Sequence, residues 1–225
     1  GTFSQRGGLT GTFRGSINGA AAVTGTAVPS RHGTAIRLQA TDAGAALRAA
    51  GIFATARGGT LDLRLTPRAQ PGVYDGRADM SRLRVRGANV LAELLSAISV
   101  VGLLEQLNGE GIYFGEAEAD FIITPDAIEV TRGSAMGASL GVSIAGLYGT
   151  KTKRLALQGV VSPIYLVNGI GALLTRRGEG LFGFNYSLRG TSDAPQVQVN
   201  PLSILTPGMF REIFRRPAPV LRQGN

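Results

Sequence analysis

Strict alternation of apolar and polar residues is the feature that most constrains the fold of this chain. In residues 60–66 (TLDLRLT) and 114–124 (FGEAEADFIIT), apolar side chains occupy every second position over most of each run. A period of two is the period of a β-strand that buries one face and exposes the other. A register shift of one residue would exchange the two faces, so the pattern predicts which side chains are buried as well as where the strands lie.

The alternation assigns individual side chains to the two faces. We expect the following apolar residues to be buried: Leu61, Leu63, Leu65, Leu83, Val85, Ala117, Phe121 and Ile123. We expect these charged residues to be exposed: Arg64, Arg84, Glu116 and Glu118. Burial of the two glutamates would contradict the assignment and would point to an acidic site instead.

Short turns separate the predicted strands. Asn18 with Gly19, residues 67–72 (PRAQPG) and Pro125 with Asp126 are turn residues between apolar runs. Connections this short join neighbouring antiparallel strands. The chain contains 33 glycines in 225 residues, about twice the usual share of ~7%. Because glycine within strands marks bends and bulges, we predict a curved antiparallel sheet.

The longest apolar run without proline, residues 87–109, predicts one long helix. Asn89 is a suitable N-cap residue, and Asn108 with Gly109 would end the helix. Its apolar positions recur at steps of three and four residues, at Leu91, Leu94, Leu95, Ile98, Val101 and Leu104. This helix either packs on the sheet as core or closes an apolar channel between the strands. A membrane span needs about 20 apolar residues, and Glu93 and Glu105 interrupt this run.

Shorter helices complete the predicted fold class. Asp42 caps a short helix that Gly51 ends, and residues 207–216 form an amphipathic helix near the C-terminus. Residues 162–177 are apolar but break the strand pattern. We therefore predict a mainly β chain, with a curved antiparallel β-sheet or groove, one long apolar helix and two or three short helices. We treat residues 1–225 as a single structural unit.

The formal net charge of +8 suggests a polyanionic partner. Arginines alternate with apolar residues along the strands, as in residues 82–86 (RLRVR), which is typical of a solvated sheet face. The chain has no Trp, and its aromatic residues are not interleaved with the basic ones, which argues against nucleic acid. An anionic membrane surface fits the same charge. The candidates for that contact lie on the polar side of the C-terminal helix: Arg211, Arg215 and Arg216.

Residues suited to catalysis are scarce. The chain has no Cys and one His, His32, in a polar turn, so a zinc site or a thiol nucleophile is not predicted. Glu116, Glu118 and Asp120 form one acidic cluster, but on alternating strand positions they face solvent. No phosphate-binding glycine loop or serine elbow is recognisable. We expect a non-catalytic protein without a metal or cofactor.

The large apolar surface is the remaining functional signal. Strand interiors, the long helix, Phe182 and Phe184 form either the protein's own core or a surface left for acyl chains. Five motifs then occur in a specific order: residues 58–61 (GGTL), 71–76 (PGVYDG), 107–111 (LNGEG), 178–182 (GEGLF) and 199–208 (VNPLSILTPG). Over roughly residues 40–216 they resemble the C-terminal region of the AsmA-like family, particularly its YhdP-type members.

The resemblance implies a location and a function. AsmA-like proteins of this type are similar to bridge-like lipid-transfer proteins of Gram-negative envelopes, anchored in the inner membrane with a β-groove in the periplasm. The chain would then be a C-terminal region, with residues 1–41 a generic strand repeat, 42–216 the family-like core and 217–225 a loose tail. It would bind or conduct phospholipid, held by its acyl chains, between the inner and outer membranes and support the outer-membrane barrier. The alternative is an adaptor domain that docks an envelope protein without carrying lipid.

Overall fold

The computed structural model describes residues 1–4, 9–164, 183–192 and 194–200, and these form one open antiparallel β-sheet with three short helices. The strands before the central helices are β1 (Thr2–Ser4), β2 (Thr10–Ile17), β3 (Ala21–Ser30), β4 (Gly33–Ala40), β5 (Ala56–Arg57), β6 (Thr60–Pro67) and β7 (Tyr74–Val85). Those after them are β8 (Ile112–Ile123), β9 (Ala127–Met136), β10 (Leu140–Gly149), β11 (Arg154–Pro163), β12 (Phe184–Thr191) and β13 (Pro195–Asn200). The helices are α1 (Ala43–Ala49), α2 (Asn89–Ala97) and α3 (Val101–Asn108).

Sequential pairing explains this topology. Each strand is hydrogen-bonded to the next in chain order, except that the two-residue β5 pairs with β7 and leaves β4 beside β6. The predicted turn chemistry is present at Asn18 and Gly19, both of which have positive φ between β2 and β3. The mainly β antiparallel fold predicted from the sequence is thus confirmed.

The predicted exposure of the charged residues is confirmed, and the predicted burial is confirmed for four of the eight apolar residues. Leu61, Leu83, Val85 and Ala117 are buried, whereas all four charged residues expected outside are exposed. Leu63, Leu65, Phe121 and Ile123 share the face of the buried residues but are only half-buried. We call the face that carries the helices the inner face and the opposite face the outer face.

A backbone irregularity at Arg82 keeps the inner face continuous. Ala78 and Met80 lie inside on even positions of β7, whereas Leu83 and Val85 lie inside on odd positions. Arg82 between them has φ 56°, outside the extended region, so the alternation restarts after it. Leu83 consequently remains in the same core cluster as Ala78.

Two core clusters cover part of the inner face. The first lies under α1 and is built from small side chains of β3, β4, β6 and β7, such as Val23, Ala40 and Ala78. The second lies under α2 and α3, with Leu95, Leu107 and Ile112 fully enclosed. Phe53, in the segment between α1 and β5, packs against both clusters. The helices therefore share one face of the sheet.

The prediction of one long helix is wrong, because residues 87–109 form α2 and α3 with a break at Ser99. Ser99 has φ 57°, and its N–H donates to the carbonyl of Ser96 at 3.0 Å. The N–H of Val100 donates to the carbonyl of Leu95 at 3.0 Å. This pair of bonds is the Schellman motif, which ends a helix. Leu95 and Val100 are both buried, as the hydrophobic contact of that motif requires.

The same motif ends α1 at the residue predicted from the sequence. Gly51 has φ 69°, and its N–H donates to the carbonyl of Arg48 at 3.0 Å. At the other end, the side chain of Asp42 accepts from the N–H of Ala45 at 2.8 Å, also as predicted. Glycine in the first position after a helix signals the helix end, whereas serine does not, so the sequence pattern does not predict the break at Ser99.

We expect Ser99→Gly to stabilise the protein by about 0.5–1 kcal/mol, because glycine adopts the left-handed conformation without the penalty of a Cβ. Gly51→Ala, the reverse change in the equivalent position of α1, should destabilise by about 1 kcal/mol. Urea unfolding followed by circular dichroism measures both changes. A loss of stability in Ser99→Gly would contradict the helix break.

A line of irregular pairing crosses the second half of the sheet. Thr131 is an extra residue in β9, since Asp120 pairs with Arg132 and Phe121 with Val130. The hydroxyl of Thr131 donates to the Asp120 carbonyl at 2.9 Å. The β9–β10 register shifts at the same level, between Ile144 and Gly146. Bulges of this kind bend and twist the strand that contains them.

The irregular pairing continues between β10 and β11, where the ladder is interrupted and Tyr186 supplies a hydrogen bond. Its buried hydroxyl donates to the Ser143 carbonyl at 2.8 Å. Between them lies Gly159, where an added Cβ would be 1.9 Å from the Ser143 carbonyl oxygen and 2.9 Å from the Tyr186 hydroxyl. The N–H of Val160 donates to the Ser143 hydroxyl at 3.0 Å. Side chains thus supply hydrogen bonds at the interruption, and burial raises the pKa of Tyr186.

We expect Tyr186→Phe to lower the free energy of unfolding by about 1–2 kcal/mol, because the buried carbonyl loses its donor. Tyr113→Phe is the matched control, since Tyr113 is 39% exposed. Chemical denaturation of both variants measures the difference. Equal stability of Tyr186→Phe and the unchanged protein would show that the hydrogen bond contributes nothing.

Candidate functional site

Most of the predicted lipid-contact residues belong to the core beneath the central helices. Leu94 and Leu95 are 3% and 0% exposed and lie within the second cluster. The half-buried candidates that pack against the same cluster are Leu91, Ile98 and Phe184. Leu104, on α3, is also half-buried. These helices close one end of the inner face with their own side chains.

Val101 departs from the predicted helical stripe, since it is 64% exposed. The break at Ser99 changes the helical phase, so the stripe does not continue from α2 into α3. Leu103 and Leu107 take the buried positions of α3 instead. Phe182, Arg211, Arg215 and Arg216 lie outside the described residues.

An apolar strip on the inner face lies outside both core clusters. It runs along the halves of the strands farthest from the helices, near the turns that join β6 to β7 and β8 to β9. Its members share one face and are all half-buried: Ile36, Leu38, Leu65, Tyr74, Ile123, Ile128 and Val130. We call these seven residues the inner strip.

Strand register makes the inner strip continuous. Ile36 pairs with Leu65, and Tyr74 pairs with Ile123, which in turn pairs with Ile128. Phe121 connects the two rows, because it pairs with Val130 and its ring covers Gly76, where an added Cβ would be 2.1 Å from the ring. The strip therefore crosses β4, β6, β7, β8 and β9 without a charged side chain among its members.

The outer face of the same strands carries a network of ion pairs. It consists of four arginines and four carboxylates, which we call the ionic lattice: Arg37, Asp62, Arg64, Arg77, Asp79, Glu118, Asp120 and Arg132. At its centre Arg77 lies 2.8 Å from Glu118 and 3.1 Å from Asp120. At its ends Arg37 pairs with Asp62, and Arg132 lies 2.8 Å from Asp120. The lattice has no net charge.

The ionic lattice accounts for the acidic cluster that the sequence singled out. Glu118 and Asp120 are paired with arginines, and Glu116 is exposed beside them. In the described part of the chain, no group of three or more metal-ligating side chains is present. The hydrogen bond from Arg37 lowers the pKa of Asp62, against the smaller opposing effect of burial. The same bond raises the pKa of Arg37.

Two open depressions lie on the outer face. One of about 600 Å³ is lined by side chains that include Thr12, Thr24, Thr26 and Gln39. The other, of about 730 Å³, has the charged residues Arg14, Asp62 and Asp79 in its lining beside apolar ones. Hydroxyl, amide and charged groups in both linings oppose the binding of acyl chains. The inner strip is therefore the stronger candidate site for an apolar ligand.

Among the described residues, no helix has both the length and the apolar character needed to cross a membrane. Comparisons with protein-family models, curated proteins and solved structures find no match to this chain. The resemblance to AsmA-like proteins thus stays a hypothesis that rests on the motifs quoted above.

The lowered pKa of Asp62 predicts an acid-sensitive contribution to stability. A carboxylate whose folded-state pKa is depressed stabilises the protein above its unfolded-state pKa, and this stabilisation is lost as the pH falls through the folded-state pKa. We expect Asp62→Asn to cost about 1 kcal/mol at neutral pH, because its ion pairs are solvent-accessible. The variant should also lose less stability than the unchanged protein between neutral and acidic pH.

Asp126→Asn is the control for this prediction, because its pair with Lys151 is an exposed turn contact. Its effect should stay within about 0.5 kcal/mol. Urea unfolding at a series of pH values measures all three proteins. Parallel pH profiles for Asp62→Asn and the unchanged protein would contradict the role of Asp62.

Proposed function

We propose that this chain is a non-catalytic, lipid-binding β-sheet region of a periplasmic AsmA-like protein. Its inner face forms part of an apolar groove for phospholipid acyl chains that move between the inner and outer membranes. No metal or cofactor takes part in the proposal.

The observation that carries this proposal is the inner strip. Its seven side chains are half-buried although they are apolar and share the face of the core clusters. Acyl chains bind by burial of apolar surface, which contributes about 0.8 kcal/mol for each CH₂ group removed from water. A strip that crosses five strands offers such burial to an extended chain without a specific polar contact.

The two faces of the sheet also support the proposal. The ionic lattice leaves the outer face of the same strands neutral but strongly polar. Acyl chains would therefore be retained on the inner face, since the charged side chains of the ionic lattice oppose their binding on the outer face of these strands. The core beneath α2 and α3 closes one end of the inner face, so lipid would lie along the strands rather than beneath the helices.

A photoreactive residue tests which face contacts lipid. We expect one at Leu38 or Leu65 to cross-link to phospholipid when the protein is produced in the envelope of Gram-negative cells. Gln39 and Thr66 are matched controls, because each is the next residue along the same strand and is exposed. Mass spectrometry of the purified, extracted protein should detect phospholipid.

Two outcomes would contradict the proposal. In one, each inner-face position cross-links to phospholipid no more than its control on the same strand. In the other, extraction of the purified protein yields no phospholipid. A thermal unfolding measurement for each substituted protein shows whether it is folded. Only folded variants are compared, so loss of signal through unfolding is not mistaken for loss of lipid contact.

The second candidate is an adaptor domain that docks an envelope protein and carries no lipid. The observation that favours it is the complete burial of Leu95, Leu107 and Ile112, which makes the central helices ordinary core. The inner strip would then receive an apolar segment of the partner. In the cross-linking experiment, Leu38 would yield a protein adduct of defined mass in place of a lipid adduct.

A further inference from the structure

Three arginines at the helix end of the outer face lie outside the ionic lattice. Arg57 on β5 pairs directly with Arg84 on β7, and Arg86 follows two residues later. An added Cβ on Gly111 would be 3.1 Å from the Arg84 side chain and 3.3 Å from that of Arg86, which places these two side chains beside each other. All three are exposed, and we call them the arginine row.

The arginine row differs in its partners from the four arginines of the ionic lattice. Arg37, Arg64, Arg77 and Arg132 each lie within 4.0 Å of a carboxylate. In the described part of the chain, no carboxylate lies that close to Arg57, Arg84 or Arg86. Like charges directly opposite each other on paired strands destabilise a sheet. The row therefore has a positive charge that an anion from outside the chain would neutralise.

Backbone carbonyls hold two of these side chains in place. Nη1 of Arg57 donates to the carbonyls of Ala54 and Ala56, both at 2.8 Å. Nη1 of Arg84 donates to the carbonyl of Glu110 at 3.1 Å. A guanidinium group has five N–H donors, so these bonds orient the groups and leave further donors for a ligand. Tyr113, which pairs with Arg84 and is 39% exposed, adds a phenol to the same surface.

We propose that Arg57, Arg84 and Arg86 form a binding site for a phosphate-class anion. The planar guanidinium fork matches the oxygen geometry of phosphate, and two such groups on paired strands present it from adjacent positions. The phosphate belongs either to a phospholipid headgroup at a membrane surface or to a soluble phosphate compound. The site is on the face opposite the inner strip, so it does not depend on the function proposed above.

Binding of inorganic phosphate to the full chain tests the site. Isothermal titration at constant ionic strength compares the unchanged protein with the double variant Arg57→Gln/Arg84→Gln. We expect the affinity for phosphate to fall roughly tenfold or more, because charge-assisted hydrogen bonds are lost. The matched control is Arg31→Gln/Arg154→Gln, which removes the same charge from exposed residues at the turn end of the sheet. It should change the affinity by less than about twofold.

Vesicles distinguish the two sources of phosphate. Flotation with phosphatidylcholine vesicles, with and without phosphatidic acid, is measured for the same three proteins. Binding that needs phosphatidic acid and is lost only in Arg57→Gln/Arg84→Gln assigns the site to a lipid headgroup. Phosphate binding without this vesicle dependence assigns it to a soluble phosphate compound.

Two results would overturn the proposal: equal losses of phosphate affinity in both double variants, or no phosphate binding by the unchanged protein.

Thermal unfolding in sodium chloride provides the folding control. The arginine-row variant should unfold at no lower temperature than the unchanged protein, because repulsion between Arg57 and Arg84 is removed. If this variant unfolds earlier, Arg57→Lys/Arg84→Lys replaces it, since it keeps the charge but loses the planar fork. Undiminished phosphate affinity in that folded variant would also overturn the proposal.

Discussion

The register of β6, β7 and β8 is the constraint on which the rest of the structure depends. One register places Leu63, Ala78 and Ala119 side by side on the inner face, and also places Arg77 between Arg64 and Asp120 on the outer face. Burial of one large apolar side chain contributes about 1.5–3 kcal/mol, whereas an exposed ion pair contributes about 0–1 kcal/mol. Apolar burial therefore determines the register. The ionic lattice adds selectivity, because a shift of one residue would put arginines inside without partners.

The sequence predicts this sheet well because its signals are local. Alternation over a few residues identifies the faces of β6 and β8, and Asp42 with Gly51 identifies the ends of α1. The break at Ser99 is less visible, since a serine adopts a conformation usually reserved for glycine and buried contacts of Leu95 and Val100 stabilise it. Each residue of the inner strip is recognisable in the sequence as an apolar strand position. The continuity of the strip, however, depends on strand pairing between residues that are dozens of positions apart in the chain.

The ionic lattice illustrates why long-range register limits prediction of a surface. Arg77 contacts Glu118 and Asp120, 41 and 43 residues later in the chain. From the sequence alone these carboxylates form an acidic cluster, and Arg77 belongs to a separate strand. Pairing of β7 with β8 brings them together and neutralises their charge. The arginine row depends on strand pairing in the same way, because Arg57 and Arg84 become neighbours only when β5 pairs with β7.

Neutralisation within the ionic lattice determines which part of the outer face attracts an anion. The formal net charge of +8 suggests a uniformly basic surface, but four arginines of the lattice are balanced by four carboxylates. An anion approaching the centre of the outer face meets paired charges, whose field falls off rapidly with distance. At the helix end it meets Arg57 and Arg84 without such partners, and within a Debye length of about 8 Å their attraction is not fully screened. The lattice therefore removes electrostatic attraction from the centre of the outer face and leaves it at Arg57 and Arg84, whereas the inner strip has no charged member and would bind by burial alone.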